Sequence, residues 1–154
     1  MTAPGPAPVG LLDEPWVGVK DGDHRALGLH LRHYSSRGRR RDAPRQFVGP
    51  YEHMVLLSPT QDAVFTWVRP RYRSDAETGV CCSLFRNEGS ARSSELIRAA
   101  MVRAWERWPG ERLYTFVDPR EVASPNPGYC FKVAGWRYVR TTPKGLHVLE
   151  AQPC

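Results

Sequence analysis

No run among the 154 residues approaches the roughly 20 consecutive apolar positions that a membrane-spanning helix needs. The opening MTAPGPAPVG has neither the basic start nor the apolar middle of a secretory signal. Residues 1–14 are therefore expected as a disordered tail, residues 15–154 as a single domain, and the protein as cytosolic. Cysteine is scarce. Cys81, Cys82, Cys130 and Cys154 contain no C-x-x-C pair, which argues for buried free thiols over a zinc site or a disulfide framework. His30 and His33 share a metal-ligand spacing, but no third ligand is evident and no metal is expected. No internal repeat is visible. Acidic residues are outnumbered, 16 against 22 basic ones, giving a formal charge of +6 and a pI near 9.5. The excess is mostly arginine, which suits polyanion partners and follows equally from a GC-rich genome.

The stretch that organises the chain is GVCCSLFRNEGSARSSEL, Gly79 to Leu96. It reads as a strand, a polar turn and the start of an amphipathic helix. Strict alternation puts Val80, Cys82 and Leu84 on one side of the strand and Cys81, Ser83 and Phe85 on the other. Arg86-Asn87-Glu88-Gly89-Ser90 is the turn. Ser93 or Ser94 can cap the helix, and Glu95 suits its positive first turn. Ile97, Met101, Ala104, Trp105 and Trp108 then fall on one helical face. Amides of the turn and of the helix start form a ready anion site, flanked by Arg86 and Arg92.

Before this stretch, a helix is expected between about Trp16 and Leu31, packing Ala26, Leu27 and Leu31. His33-Tyr34-Ser35 follows, then the basic run Arg37-Gly38-Arg39-Arg40-Arg41, which has no apolar period and reads as a loop. Phe47–Ser58 and Asp62–Arg69 read as a hairpin around Pro59-Thr60-Gln61, and Pro70 to Thr78 as a loop. After it, Pro109-Gly110 ends the long helix and Arg112–Val117 is a strand closing at Asp118-Pro119. Asn126 can cap a short helix with Pro127 at its first position, running to Gly135. Trp136–Arg140 and Leu146–Glu150 form a last hairpin. The tryptophans at 67, 105, 108 and 136 are assigned to packing.

The order of strand, glycine-containing turn, long helix, strand, short helix and hairpin resembles the GNAT-type N-acetyltransferases. That resemblance covers about Val80 to Glu150 and implies an α+β domain with a central, mostly antiparallel sheet flanked by helices. It implies that an acyl-coenzyme A, such as acetyl-CoA, lies on the turn. Asn87, Glu88, Gly89, Ser90, Ala91, Arg92, Ser93 and Ser94 would hold its pyrophosphate, with Asn126 at the later helix. The turn has Gly89 alone, with Ala91 in place of the second glycine usual in that family. A narrower likeness is to phage Mom-type proteins, which modify adenine in DNA and so block restriction enzymes. It lies in His33-Tyr34-Ser35, Arg86, Asp118 and Tyr129, in that order along the chain.

From this likeness follow the expected roles. Asp118 would take a proton, Tyr129 would act as the acid, Arg86 would anchor a phosphate or an oxyanion, and Tyr34 would stack on the base. His33, Ser35, Arg37, Arg39, Arg40 and Arg41 would contact nucleic acid. Two rival readings stand beside it. One is an acyl-coenzyme A N-acetyltransferase for a small amine or a protein; the other is a nucleic-acid-binding module with no catalysis. Each candidate also has a plain structural role: Asp118-Pro119 as a strand-ending turn, Arg86 paired with Glu88, Tyr34 and Tyr129 as packing.

Overall fold

The computed structural model describes residues 14–70 and 77–153. The expected tail, most of the loop before the central strand, and Cys154 fall largely outside them. The elements in order are β1 (Val17–Val19), α1 (His24–Leu31), β2 (Glu52–Leu57), β3 (Ala63–Arg69) and β4 (Val80–Asn87). They continue with α2 (Ser93–Arg107), β5 (Leu113–Val117), α3 (Tyr129–Val133), β6 (Arg137–Thr141) and β7 (His147–Ala151). A seven-stranded sheet runs β1-β2-β3-β4-β5-β7-β6. Only β4 and β5 pair in parallel; the other pairs are antiparallel. The molecule is thus α+β with a mostly antiparallel sheet. No helix of the described residues is long and apolar enough to cross a membrane.

One face of the sheet carries α2 and α3, the other α1. Leu56, Phe65, Trp67, Val80 and Cys82 pack with Ile97, Ala100, Met101, Ala104 and Phe131. On the opposite face Val55, Leu57, Val64 and Leu84 meet Ala26 and Leu29. Burial of this apolar area is the main stabilising contribution. Indole N–H groups fix α2 on its face: Trp16 donates to the Leu96 carbonyl at 2.9 Å and Trp67 to that of Ala100 at 2.9 Å. Trp136 approaches Met101 Sδ at 3.1 Å, and Trp105 donates to the Glu111 carbonyl at 2.8 Å. The four tryptophans assigned to packing do pack, and Trp16 joins them.

Several boundaries differ from expectation for identifiable reasons. The first helix does not begin near Trp16. Val17–Val19 pairs with Val55–Leu57, and Gly22, at φ 97°, turns the chain before the helix. Asp23 caps that helix, accepting the Arg25 and Ala26 amides; its buried side is Ala26, Leu29 and His30, and Leu31 is exposed. The second strand starts at Glu52 rather than Phe47, because the Phe47, Val48 and Gly49 amides donate to the Asp21 carboxylate. Neither Ser93 nor Ser94 caps α2: Arg92 sits at the cap with no side-chain hydrogen bond there. Gly128, at φ 75°, begins α3 in place of an Asn126 cap, and Asn126 Oδ1 instead accepts Lys132 Nζ at 2.6 Å.

The alternation expected along β4 also fails at one point. The register passes from Thr66↔Leu84 to Trp67↔Cys82, so Ser83 is an extra residue, a β-bulge. Val80, Cys82 and Phe85 consequently share the α2 face, while Leu84 turns to α1. Ser83 Oγ lies 2.6 Å from Thr66 Oγ1 across the bulge.

Candidate functional site

The bulge lies where β4 and β5 part company. Their pairing covers Val80–Cys82 against Leu113–Thr115 and stops. Thr115 Oγ1 donates to the Cys82 carbonyl at 2.9 Å, satisfying an acceptor at the branch point. Beyond it the two strands diverge, and a cavity of about 570 Å³ opens between them. Its lining comes from both faces of the sheet: Leu84 and the His33–Ser35 turn from one, Phe85, Val117 and Phe131 from the other. The wall is largely aromatic and aliphatic, with Ser83, Thr115, Ser124 and Asn126 as neutral polar groups.

Tyr34 stands in a short 3₁₀ turn, Tyr34–Ser36, and is half-buried. Burial raises its phenol above the ordinary range, partly offset by the Asp118 backbone amide. The His33 ring stacks on it with centroids 4.3 Å apart. Nδ1 of His33 accepts the Ser35 amide at 3.1 Å and lies 2.8 Å from Ser35 Oγ. Burial, then the nearby Arg86 and His30 charges, push His33 down to about 4. It is a neutral ring at pH 7, with Nδ1 as acceptor, so its proton is on Nε2.

Asp118 ends β5 at the cavity mouth. Its carboxylate takes the Arg120 amide at 3.0 Å and the Arg120 guanidinium at 2.9 and 3.2 Å, and this pairing holds its pKa below the usual range. Tyr129 opens α3 on the other side and is 60 % exposed, a phenol presented to solvent and cavity together. Cys82 and Cys130 also line the space; burial raises both thiols, which are neutral at pH 7. Among the described residues, no group of three or more His, Cys, Asp or Glu is placed to hold a metal ion.

No family model, curated protein or solved structure matches this chain. The site is therefore read from its own geometry. His33, Tyr34, Ser35, Asp118, Asn126 and Tyr129 all line the one cavity, although the first and last of them are 96 positions apart. Arg86 does not line it. Its Nε donates to Glu88 Oε2 at 2.6 Å, and Arg32 grips the same carboxylate at 2.7 and 2.9 Å. These two cations hold Glu88 down to about 2. Arg86 faces the cavity only through its field on His33.

The first half of the turn expected to hold a pyrophosphate is bonded within the protein itself. The Glu88 amide donates to the Asp62 carbonyl at 2.7 Å, and the Gly89 amide to Asn87 Oδ1 at 3.0 Å. Asn87 Nδ2 donates to the Ala91 carbonyl at 2.7 Å and to Ser93 Oγ at 3.0 Å. A Cβ at Gly89 would overlap the Asp62 carboxylate, so this glycine serves a contact inside the protein. The residues Arg86–Gly89 do not fit a coenzyme A pyrophosphate. Ser90, Ala91 and Arg92 are exposed, and Ser93 and Ser94 start α2 beyond them.

The basic run is a loop, as expected, and it lies beside the cavity mouth. Arg37 pairs with Glu121, Arg39 donates to the Pro44 carbonyl, and Arg40 pairs with Asp42 at 3.1 Å. Arg41 and Arg45 are exposed. Arg120 reaches the Lys144 carbonyl at 3.3 Å, which joins the β5–α3 loop to the β6–β7 turn on the same rim. Reasoning from sequence missed Ser83, Thr115, Phe116, Val122 and Leu146 as wall residues. Ser83 and Thr115 had a signal, each a hydroxyl interrupting an apolar strand.

Proposed function

We propose that the protein is a GNAT-type transferase that modifies a base in DNA, adenine in the first instance. The observation that carries this reading is the meeting of His33-Tyr34-Ser35, Asp118 and Tyr129 on one aromatic-walled cavity beside a basic loop. A parallel β4–β5 pair that splays within an otherwise antiparallel sheet supports the GNAT-type architecture. The base amine lies inside a base pair, so the nucleotide must leave the duplex to react. Phe85, Phe116 and Tyr34 offer faces for a flat, uncharged ring. Cations of the loop from Arg37 to Arg45 hold the flanking phosphates.

Within the cavity, the phenols of Tyr34 and Tyr129 donate hydrogen bonds to oxygen or to a departing group. Asp118, kept ionised by Arg120, accepts from the exocyclic amine. As the nitrogen bonds to the donor's transferred group and that group's bond to its carrier breaks, Asp118 takes the amine proton and the carrier leaves with the bonding pair. Resistance of phage DNA to restriction cutting would follow from the altered base. Nucleoside mass spectrometry of DNA from expressing cells tests the reading. A new nucleoside absent from empty-vector, Asp118→Asn and Tyr129→Phe cultures is expected; unmodified DNA in a well-expressing culture sinks it.

A second reading, a DNA-binding module without catalysis, has one observation in its favour. The Arg120 pairing makes Asp118 an ordinary turn-stabilising carboxylate. That reading expects salt-sensitive DNA binding, unchanged in Asp118→Asn and Tyr129→Phe, and no altered nucleoside.

A further inference from the structure

We infer that the β4–α2 turn is a closed joint that rejects a diphosphate, so that the group donor carries none and coenzyme A is not the carrier. This rests on the transferase reading for the word donor, but the state of the turn stands independently of it. A pyrophosphate cradle needs backbone amides free to converge on it, a glycine whose missing side chain leaves room for it, and unspent positive charge nearby.

Most of these are spent inside the protein. The Glu88 and Gly89 amides are taken by Asp62 O and Asn87 Oδ1. The space that Gly89 leaves is filled by the Asp62 carboxylate, which Ser58 Oγ and Thr60 Oγ1 hold in place at 3.0 and 2.6 Å. The charge of Arg32 and Arg86 is answered by Glu88, whose carboxylate both guanidinium groups share, while Arg92 stands exposed at the helix cap outside that pairing. The amides from Ser90 onward remain, but a diphosphate settling on them approaches two carboxylates held ionised by their hydrogen bonds. Glycine in this turn therefore answers a side chain from the β2–β3 turn, not a ligand.

Calorimetric titration of the full chain with coenzyme A and with inorganic pyrophosphate, alongside amide NMR, decides the matter. The expected result is no saturable binding at ligand concentrations on the order of 1 mM. A Kd below that, with shifts at Gly89 to Ser94, overturns the inference. Replacing both carboxylates by their amides (Asp62→Asn with Glu88→Gln) keeps the shapes and frees Arg32 and Arg86. Pyrophosphate is then expected to bind at least tenfold more tightly than to the natural chain. A double variant that binds no better overturns the account of the turn by its carboxylates.

Nucleoside analysis of the same cells separates the two claims. Altered DNA with no coenzyme A binding upholds both. Unaltered DNA with no binding removes the transferase reading and leaves the closed turn standing. Altered DNA with tight coenzyme A binding does the reverse.

Discussion

The two ends of the β4–β5 pair are built in opposite ways. At the starting end the strands are locked. Gly79, at φ 114°, brings its backbone so close to Arg112 that a Cβ would overlap the Arg112 carbonyl, and the Val80 amide donates to that carbonyl at 2.8 Å. Around it Arg140, Glu77, Arg112, Glu150 and Arg137 alternate in charge. Both carboxylates are nearly fully buried, Glu77 at 6 % and Glu150 at 5 % exposure. At the far end the described residues show no such chain of buried charges: the bulge at Ser83 and the diverging strands leave a cavity. Rigidity at one end lets the other stay open without the sheet coming apart. The buried ion pairs and the candidate site thus lie at opposite ends of a single pair of strands.

That separation can be broken first at the locked end. Glu150→Ala leaves Arg112 and Arg137 without their shared partner and is expected to cost about 4 kcal/mol, read as a lower urea midpoint. Gly79→Ala combines a strained φ with overlap against backbone and is expected to cost about 3 kcal/mol. A loss under about 1 kcal/mol in both would refute the lock.

At the open end the signature is inverted. Tyr34→Phe should leave the urea midpoint within about 0.5 kcal/mol of the parent. Under the transferase reading it should also lower the altered nucleoside by about a hundredfold. A large stability loss with normal product would instead make Tyr34 a packing residue.

The two ends also titrate in different windows. His33 is depressed to about 4, so between the unfolded value near 6.5 and 4 the unfolded chain takes up a proton that the fold refuses. Stability from this site is full above about pH 6.5 and is lost as the pH falls towards 4. His30, depressed by burial, contributes in the same direction. Glu150 behaves differently. Burial raises it, but Arg112 and Arg137 outweigh that and the folded pKa lies below the ordinary one. Its contribution is present above about pH 4.3 and is lost only as acid titrates the folded carboxylate. His33→Gln should flatten part of the stability curve between pH 6.5 and 4 and leave the lower limb, while Glu150→Gln does the opposite.

The smallest effect belongs to the rim. Arg41→Ala should not move stability, and under the DNA reading should reduce the slope of log affinity against log salt by about one. An unchanged slope would take Arg41 out of the DNA contact.

Much of the frame was legible because burial writes a period into the sequence. Ile97, Met101 and Ala104 mark the buried side of α2 by such a period, while Val64, Phe65, Thr66 and Trp67 mark β3 as a β-branched and aromatic run buried on both faces. What failed were places where a side chain overrides the period. Asp21 takes three amides and so delays β2 by five residues, a contact across more than twenty positions that no local pattern contains. The bulge at Ser83 shifts the phase of β4 by one residue, which alternation alone cannot express. Tyr34, Asp118 and Tyr129 could be singled out by residue type and order, and they do line one cavity. For Arg86 the plain role read from the sequence, pairing with Glu88, is the one found; the distant Arg32 on the same carboxylate is what no local pattern contains. The remaining walls, Thr115 and Phe116 among them, are ordinary strand residues that line a cavity only because pairing ends beside them.

Parting β4 from β5 gives the sheet, besides its outer margins at β1 and β6, two inner margins where, among the described residues, no neighbouring strand pairs across the gap. Open margins are normally where foreign chains add on and aggregation begins. Here the margins face each other across a narrow wedge whose mouth holds Tyr34 and Tyr129, so an incoming strand has no flat approach. The fold thus keeps its inner sheet margins inside a cavity and away from its outer edges.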